Sequence, residues 1–168
     1  VLPALLQKLG VDTDVNPPWL LGHSDGGSIA LLYAAQFPGK AAGLVVLAPH
    51  IMVEDITIEN IVKARTAYET TDLPKRLVRH HADPDSAFWG WNRIWLSPEF
   101  RNWTIEADLP KITCPVLAIQ GLDDEYGTVQ QVHGIAQRVP QTQLLEIRNF
   151  EYSPLVEIQR SEEHTSEL

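Results

Sequence analysis

The sequence has one cysteine, Cys114, and one methionine, Met52. A lone cysteine excludes an internal disulfide, and a cytoplasmic setting is expected. Cys114 opens the apolar run 113–119 and reads as a small core residue rather than a reactive thiol. Basic residues are scarce: 13 Lys and Arg stand against 22 Asp and Glu, a formal net charge of −9. That balance argues against a nucleic-acid partner or an anionic membrane surface. Long apolar runs are also missing, and the N-terminal residues lack the basic-then-apolar layout of a signal peptide. No internal repeat or low-complexity segment is present. What remains, 168 residues with 44% hydrophobic content, is about one domain.

Short apolar runs alternate with helical segments, the pattern of a parallel α/β sheet. Residues 2–9 read as a helix, entered without an initiator Met. Strands are expected at 17–21, 42–48, 113–120 and 143–147, with helices at 27–37 and 128–139. The first of these helices has Ile29, Ala30, Leu32 and Tyr33 available for an inward face, and Phe37-Pro38-Gly39 terminates it.

Gly22-His23-Ser24-Asp25-Gly26 follows the apolar run Trp19-Leu20-Leu21 and precedes a helix. This is G-x-S-x-G between a buried strand and a helix, the setting of a nucleophile elbow. Gly22 and Gly26 are expected to make room for the sharp turn, and the helix N-terminus favours negative charge developing at Ser24. The other reading is a glycine-rich turn with a capping serine; the flanking strand and helix favour the nucleophile.

More than sixty residues separate the second and third expected strands, too many for a simple crossover. They contain helix-like pieces at 56–70, 73–81 and 85–96 and read as an inserted helical cap. Trp91 and Trp95 are four apart and share a helix face with Phe88. These aromatics are expected mainly to attach the insertion to the core, with one or two lining a pocket above Ser24.

With these residues in hand, residues 1–159 resemble the second half of a capped α/β-hydrolase, a serine hydrolase superfamily that includes esterases, valacyclovir-hydrolase-like enzymes and carbon–carbon bond hydrolases. The resemblance rests on Gly-His-Ser-Asp-Gly-Gly at 22–27, the segment 88–96, and Pro115-Val116-Leu117-Ala118-Ile119-Gln120-Gly121-Leu122-Asp123-Asp124. It implies a partial α/β-hydrolase fold. A core part with the elbow spans 1–48, a helical cap 49–112, and a core part with the acid loop and a degenerate histidine loop 113–159. It also implies acyl-enzyme hydrolysis of a small ester, amide or related carbonyl substrate at Ser24, with no metal and no organic cofactor.

In the family the acid follows the penultimate strand in a Gly-x-x-Asp pattern, which carries over to Asp124, with Asp123 as the fallback. The role is to hold a histidine tautomer and stabilise its imidazolium. A solvated acidic turn is the alternative. The histidine loop reads Arg148-Asn149-Phe150-Glu151-Tyr152-Ser153-Pro154, where the family usually ends Gly-His-Ser-Pro. Tyr152 therefore stands at the position of the expected base. Its ordinary pKa is about 10, so it holds its proton at neutral pH. As written, the chain lacks the general base. Among the other histidines, His23 should point away from Ser24, and His50 is the one placed near the pocket. His80 and His81 belong to a cap helix, and His133 to a surface helix. The oxyanion is assigned to the Asp25 N–H together with an N–H from an earlier loop that this sequence does not contain; one such donor is worth roughly 3–4 kcal/mol.

Residues 160–168, Arg-Ser-Glu-Glu-His-Thr-Ser-Glu-Leu, resemble the translation of a short-read sequencing adapter and are set aside from fold reasoning. Glu151 and Tyr152 lie close to that tail, and each departs from the family pattern by one base transition; sequence damage and genuine substitution both account for them. The alternative to an enzyme is an inactive relative or fragment that binds a small apolar ligand. The absent early strands imply a bare sheet edge and face, and a 168-residue chain that is poorly soluble or partly unfolded alone.

Overall fold

The structure, a computed structural model, describes residues 1–148. Tyr152, Glu151 and the tail 160–168 lie outside the described residues. The chain forms two compact units, one from Val1–Met52 with the residues from Thr104 onward, the other Val53–Trp103. Residues 49–52 and 104–112 group with the first unit, where Met52 and Thr104 form an antiparallel bridge.

The first unit carries β1 (Trp19–His23), β2 (Gly43–Leu47), β3 (Val116–Gly121) and β4 (Thr142–Ile147) in the order β1-β2-β3-β4, every pair parallel. The expected parallel α/β architecture is borne out. Helix α1 (Leu2–Lys8) precedes β1, and α2 (Asp25–Gln36) joins β1 to β2. The second unit holds α3 (Asp55–Thr70), α4 (Leu73–Leu77) and α5 (Pro84–Trp95). Helix α6 (Gln130–Arg138) then joins β3 to β4 in the first unit.

Period-two alternation sorts the sheet. Leu44, Val46, Val116 and Ala118 are buried on one face, together with Gln120. Val45, Leu47, Leu117 and Ile119 are half-buried on the other, while Trp19 and Leu21 on β1 are 62% and 75% exposed. The Trp19 ring lies over Gly43, where a Cβ would come within 2.3 Å of it.

Element boundaries moved for identifiable reasons. β1 starts after Pro17-Pro18 and β3 after Pro115, because proline has no N–H to give a ladder. β1 runs on through Gly22 and His23 rather than stopping at Leu21. α2 begins at Asp25 and buries Gly27, Ala30, Leu31, Ala34 and Ala35, a stripe at helical spacing whose small residues let the helix sit close to the sheet. Ile29, expected inward, is off that stripe and 54% exposed. α4 is shorter than the helix expected over 73–81.

Within the second unit, Asp83 caps α5 by accepting from the Ser86 N–H at 3.0 Å. The Asn92 amide donates to the Ile61 carbonyl at 3.1 Å, tying α5 to α3. Tyr68 stacks on Phe88 with ring centroids 3.8 Å apart and donates its hydroxyl to Asp85. Burial, then the neighbouring Asp85, pushes the Tyr68 pKa up to about 12. Cys114, in the first unit, is buried as expected of a core residue, and burial raises its thiol pKa.

Candidate active site

Ser24 sits between the last residue of β1 and the first of α2, with φ 52° and ψ −124°. A non-glycine residue in that region costs on the order of 1–3 kcal/mol and persists only where its surroundings impose it. Two neighbours do so. The Ser24 N–H donates to the Leu47 carbonyl at 2.9 Å, extending the β1–β2 ladder one residue past the strand. Its carbonyl accepts from the Gly27 N–H at 2.9 Å and starts the helix. Ala48, one residue past β2, repeats the device with φ 43°, its N–H donating to Ile119 at 2.9 Å.

Ser24 occupies the N-cap position, yet its side chain makes no capping hydrogen bond. This weakens the capping-serine alternative: Ser24 is half-buried at the N-terminus of a twelve-residue helix, and its hydroxyl does not cap that helix. Asp25 is the first residue of α2, not its cap; its charge in the first turn suits the helix dipole.

The two motif glycines differ. A Cβ on Gly22 would stand 2.3 Å from the Gly26 carbonyl oxygen and 2.7 Å from the Gly27 nitrogen, so only glycine fits there. At Gly26 nothing lies within 4 Å of the same construction, which corrects the expectation that a side chain would collide. The tight second position is Gly27, whose Cβ would meet Pro49 at 2.9 Å. The sequence spacing pointed one residue short because the obstruction comes from the segment after β2.

Asp124 is 7% exposed, three residues past β3, and is not a solvated turn. One carboxylate oxygen accepts from the Tyr126 N–H at 2.8 Å and the other from the Gln120 amide at 2.8 Å. Burial raises its pKa above the ordinary carboxylate value; the N–H groups of Tyr126 and Gly127, the Gln120 amide and the charge of His23 pull it back in part. His23, though exposed, thus acts on the acid electrostatically. Asp123 and Glu125 are exposed.

His50 is 4% exposed and lies against Gly127 of the acid loop, where a Cβ would come 3.5 Å from its ring. Its carbonyl accepts from the Ser28 hydroxyl at 2.6 Å. Gln131 of α6, fully buried, accepts from the Ile51 N–H at 2.7 Å and donates to the Met52 carbonyl at 3.1 Å. His133 pairs with Glu146 at 2.6 Å on the surface, and His80 and His81 are exposed in the second unit. Trp91 and Trp95 also belong to that unit. Trp91 packs edge-on to Phe88 at 5.7 Å, and Trp95 packs edge-on to Phe100 at 5.1 Å. A cavity of about 500 Å³ is lined by Leu6, Tyr33, Phe37 and Lys40, at the end of α2 remote from Ser24. Among the described residues no group of three or more His, Cys, Asp or Glu is placed to hold a metal ion, and no helix is long and apolar enough to cross a membrane.

Sequence reasoning missed Gly27, Ala48 and the two buried glutamines. Gln120 alone left a mark, as an amide at the end of an otherwise apolar strand.

Residues 1–153 match the sequence profile of the alpha/beta hydrolase family. Human monoglyceride lipase is 29% identical over 126 residues, covering 64% of this chain and 41% of the lipase, so the chain spans about two fifths of that relative. A solved structure from work on carboxylesterases of Nitrososphaera gargenis superposes with TM-score 0.66 at 20% identity, over 98% of this chain and 66% of its own. The monoacylglycerol lipase of Paleococcus ferrophilus superposes with TM-score 0.55 at 18% identity, over 95% and 70%. At these identities the structural likeness shows the fold.

Two outcomes follow. Gly22→Ala should destabilise the protein by about 1–3 kcal/mol or more, as overpacking does, whereas Gly26→Ala should cost little; thermal melts of the two variants check the contrast. Because the folded-state pKa of Asp124 lies above its unfolded value, the folded form binds the proton more tightly. Its contribution is therefore full below the ordinary carboxylate pKa and lost as pH rises through the folded value. Asp124→Asn removes that titration but sets an amide NH2 against either the Tyr126 N–H or the Gln120 amide, so it should lower the melting temperature, by less at pH ~7 than at pH ~3, as read from melts across that range.

Proposed function

The chain belongs to the alpha/beta hydrolase family, and on that premise we propose that its full-length parent, with histidine at position 152, is a serine hydrolase acting on small esters, amides or related carbonyl compounds through an acyl-enzyme at Ser24. The observation that carries the reading is Ser24 itself, held in a strained conformation at a helix N-terminus with its hydroxyl not capping the helix. The lipase relative supports an ester substrate.

In this reading the Ser24 oxygen attacks the carbonyl carbon while its proton passes to the base at position 152. The oxyanion is bound by the Asp25 N–H, at the positive end of the α2 dipole. Collapse expels the leaving group, which takes the proton, and water then repeats the sequence to release the acid and free Ser24. Asp124, held by Gln120 and the Tyr126 N–H, orients the base. No metal or organic cofactor enters, the partner is the small substrate, and the setting is cytoplasmic. With Tyr152 in the base position, the elbow and acid are kept and turnover is lost. Tyr152 is also the observation that favours the second reading, a non-catalytic relative that binds a small apolar carbonyl compound.

Fluorophosphonate labelling of the full-length protein tests both. A positioned general base contributes about 10²- to 10⁴-fold, so Tyr152→His should raise the labelling rate at Ser24 by that order, and Ser24→Ala should abolish it. Absence of label at Ser24 in both the parent and the Tyr152→His variant would overturn the hydrolase reading and leave ligand binding. The Asp25 carboxylate beside the nucleophile also suits a substrate ammonium. Asp25→Asn should then spare neutral esters while depressing kcat/KM for α-amino esters; equal effects on both would confine Asp25 to its helix.

A further inference from the structure

Gln120 is the one polar side chain on the buried face of β3 and is 1% exposed. A buried amide is costly unless it is hydrogen-bonded, and an apolar residue would fill the position without that cost. Its Nε2 donates to Asp124 Oδ2 at 2.8 Å and to the Gly127 carbonyl at 3.1 Å. Both partners are acceptors, which fixes the amide: the flipped rotamer would set oxygen against oxygen twice. Oε1 has no hydrogen-bond partner among the described residues, so the two donor bonds are what the amide is kept for.

Those two bonds close the 124–127 turn from below. The turn supplies the Tyr126 N–H to the other carboxylate oxygen, so Asp124 is gripped at both oxygens. Gly127, the second acceptor, lies against His50, whose carbonyl is tied to Ser28 in the first turn of α2, the helix that has Ser24 at its N-cap position. A single strand side chain thus joins the acid, its loop, and the segment bonded to the nucleophile's helix.

We propose that Gln120 is a positioning residue for Asp124, fixing the direction in which the carboxylate faces its partner. This rests on the reading of Asp124 as the acid of a serine hydrolase. A carboxylate free to rotate still carries charge but no longer sets the geometry of the group it orients, and a displacement of about 1 Å at such a site can cost 10²-fold.

The test uses the full-length protein carrying Tyr152→His, with Gln120→Met as a size-matched variant lacking the donor. The expected result is a loss in kcat of about tenfold or more with KM within about twofold, and a carboxyl carbon NMR titration of Asp124 moved to higher pH, since a donor to the ionised form is gone. Unchanged kcat and an unmoved titration in the folded variant would overturn the proposal. The titration needs no turnover: if Ser24 proves inert, the hydrolase reading falls and the Asp124 midpoint still decides whether Gln120 holds the acid. Should Gln120→Met not fold, Gln120→Glu keeps the shape and sets a second carboxylate against Asp124, with His23, Asp123 and Glu125 unchanged around them. Its kcat should drop at alkaline pH and recover as the pair takes up a shared proton; a pH profile matching the parent would overturn the proposal.

Discussion

Ser24 is pulled from two sides, and much of the first unit is arranged around that tension. Its N–H continues the ladder from β1 to Leu47, while its carbonyl begins α2. Ser24 lies between strand and helix with no intervening loop, and there it takes a positive φ of 52°. Glycine would do so at little cost. A serine held there is expected where the side chain matters more than the strain, since such strain collects at functional sites. The empty space required above Gly22, the small-residue stripe of α2 and the second strained residue, Ala48, are consequences of bringing two strand ends and one helix start to a single point.

The polar groups near that point follow the same logic. Ser28, Gln120, Gln131 and Asp124 are buried, and each is placed by hydrogen bonds to backbone or to one another rather than left to solvent. Buried amides and a buried carboxylate weaken a core when partly satisfied and make it rigid when satisfied. Here they join segments that apolar packing alone would leave free to slide, namely the start of α2, the residues after β2, and the loop after β3. Asp124 bears the cost, with a pKa raised by burial, and that cost marks it as a candidate acid more strongly than its place in an acidic triplet.

Local constraints were legible in the sequence and long-range ones were not. The strand, turn and helix around Ser24 could be read because the pentapeptide and its flanks contain the steric reason for the turn. Asp124 was singled out through the resemblance, because Gly121-Leu122-Asp123-Asp124 matches the family's Gly-x-x-Asp pattern. Strand ends were misplaced where proline shifts the start of hydrogen bonding. Gly26 was singled out in place of Gly27 because the obstruction at Gly27 is Pro49, far along the chain. Gln131 is eighty residues from Ile51, whose backbone it holds, and no periodicity announces such a bond. The alternation that correctly revealed a parallel sheet is silent on side chains that serve another element's backbone.

The account stands on Ser24 as the nucleophile, and the most direct measurement is trapping the covalent intermediate. Full-length protein carrying Tyr152→His would be quenched in acid during turnover of an activated ester and analysed by intact mass and peptide mapping. The account predicts an added acyl mass on the peptide containing residues 22–27, localised to Ser24 and absent from Ser24→Ala. Ester turnover with no acyl mass at Ser24, or with the mass on another residue, would contradict it.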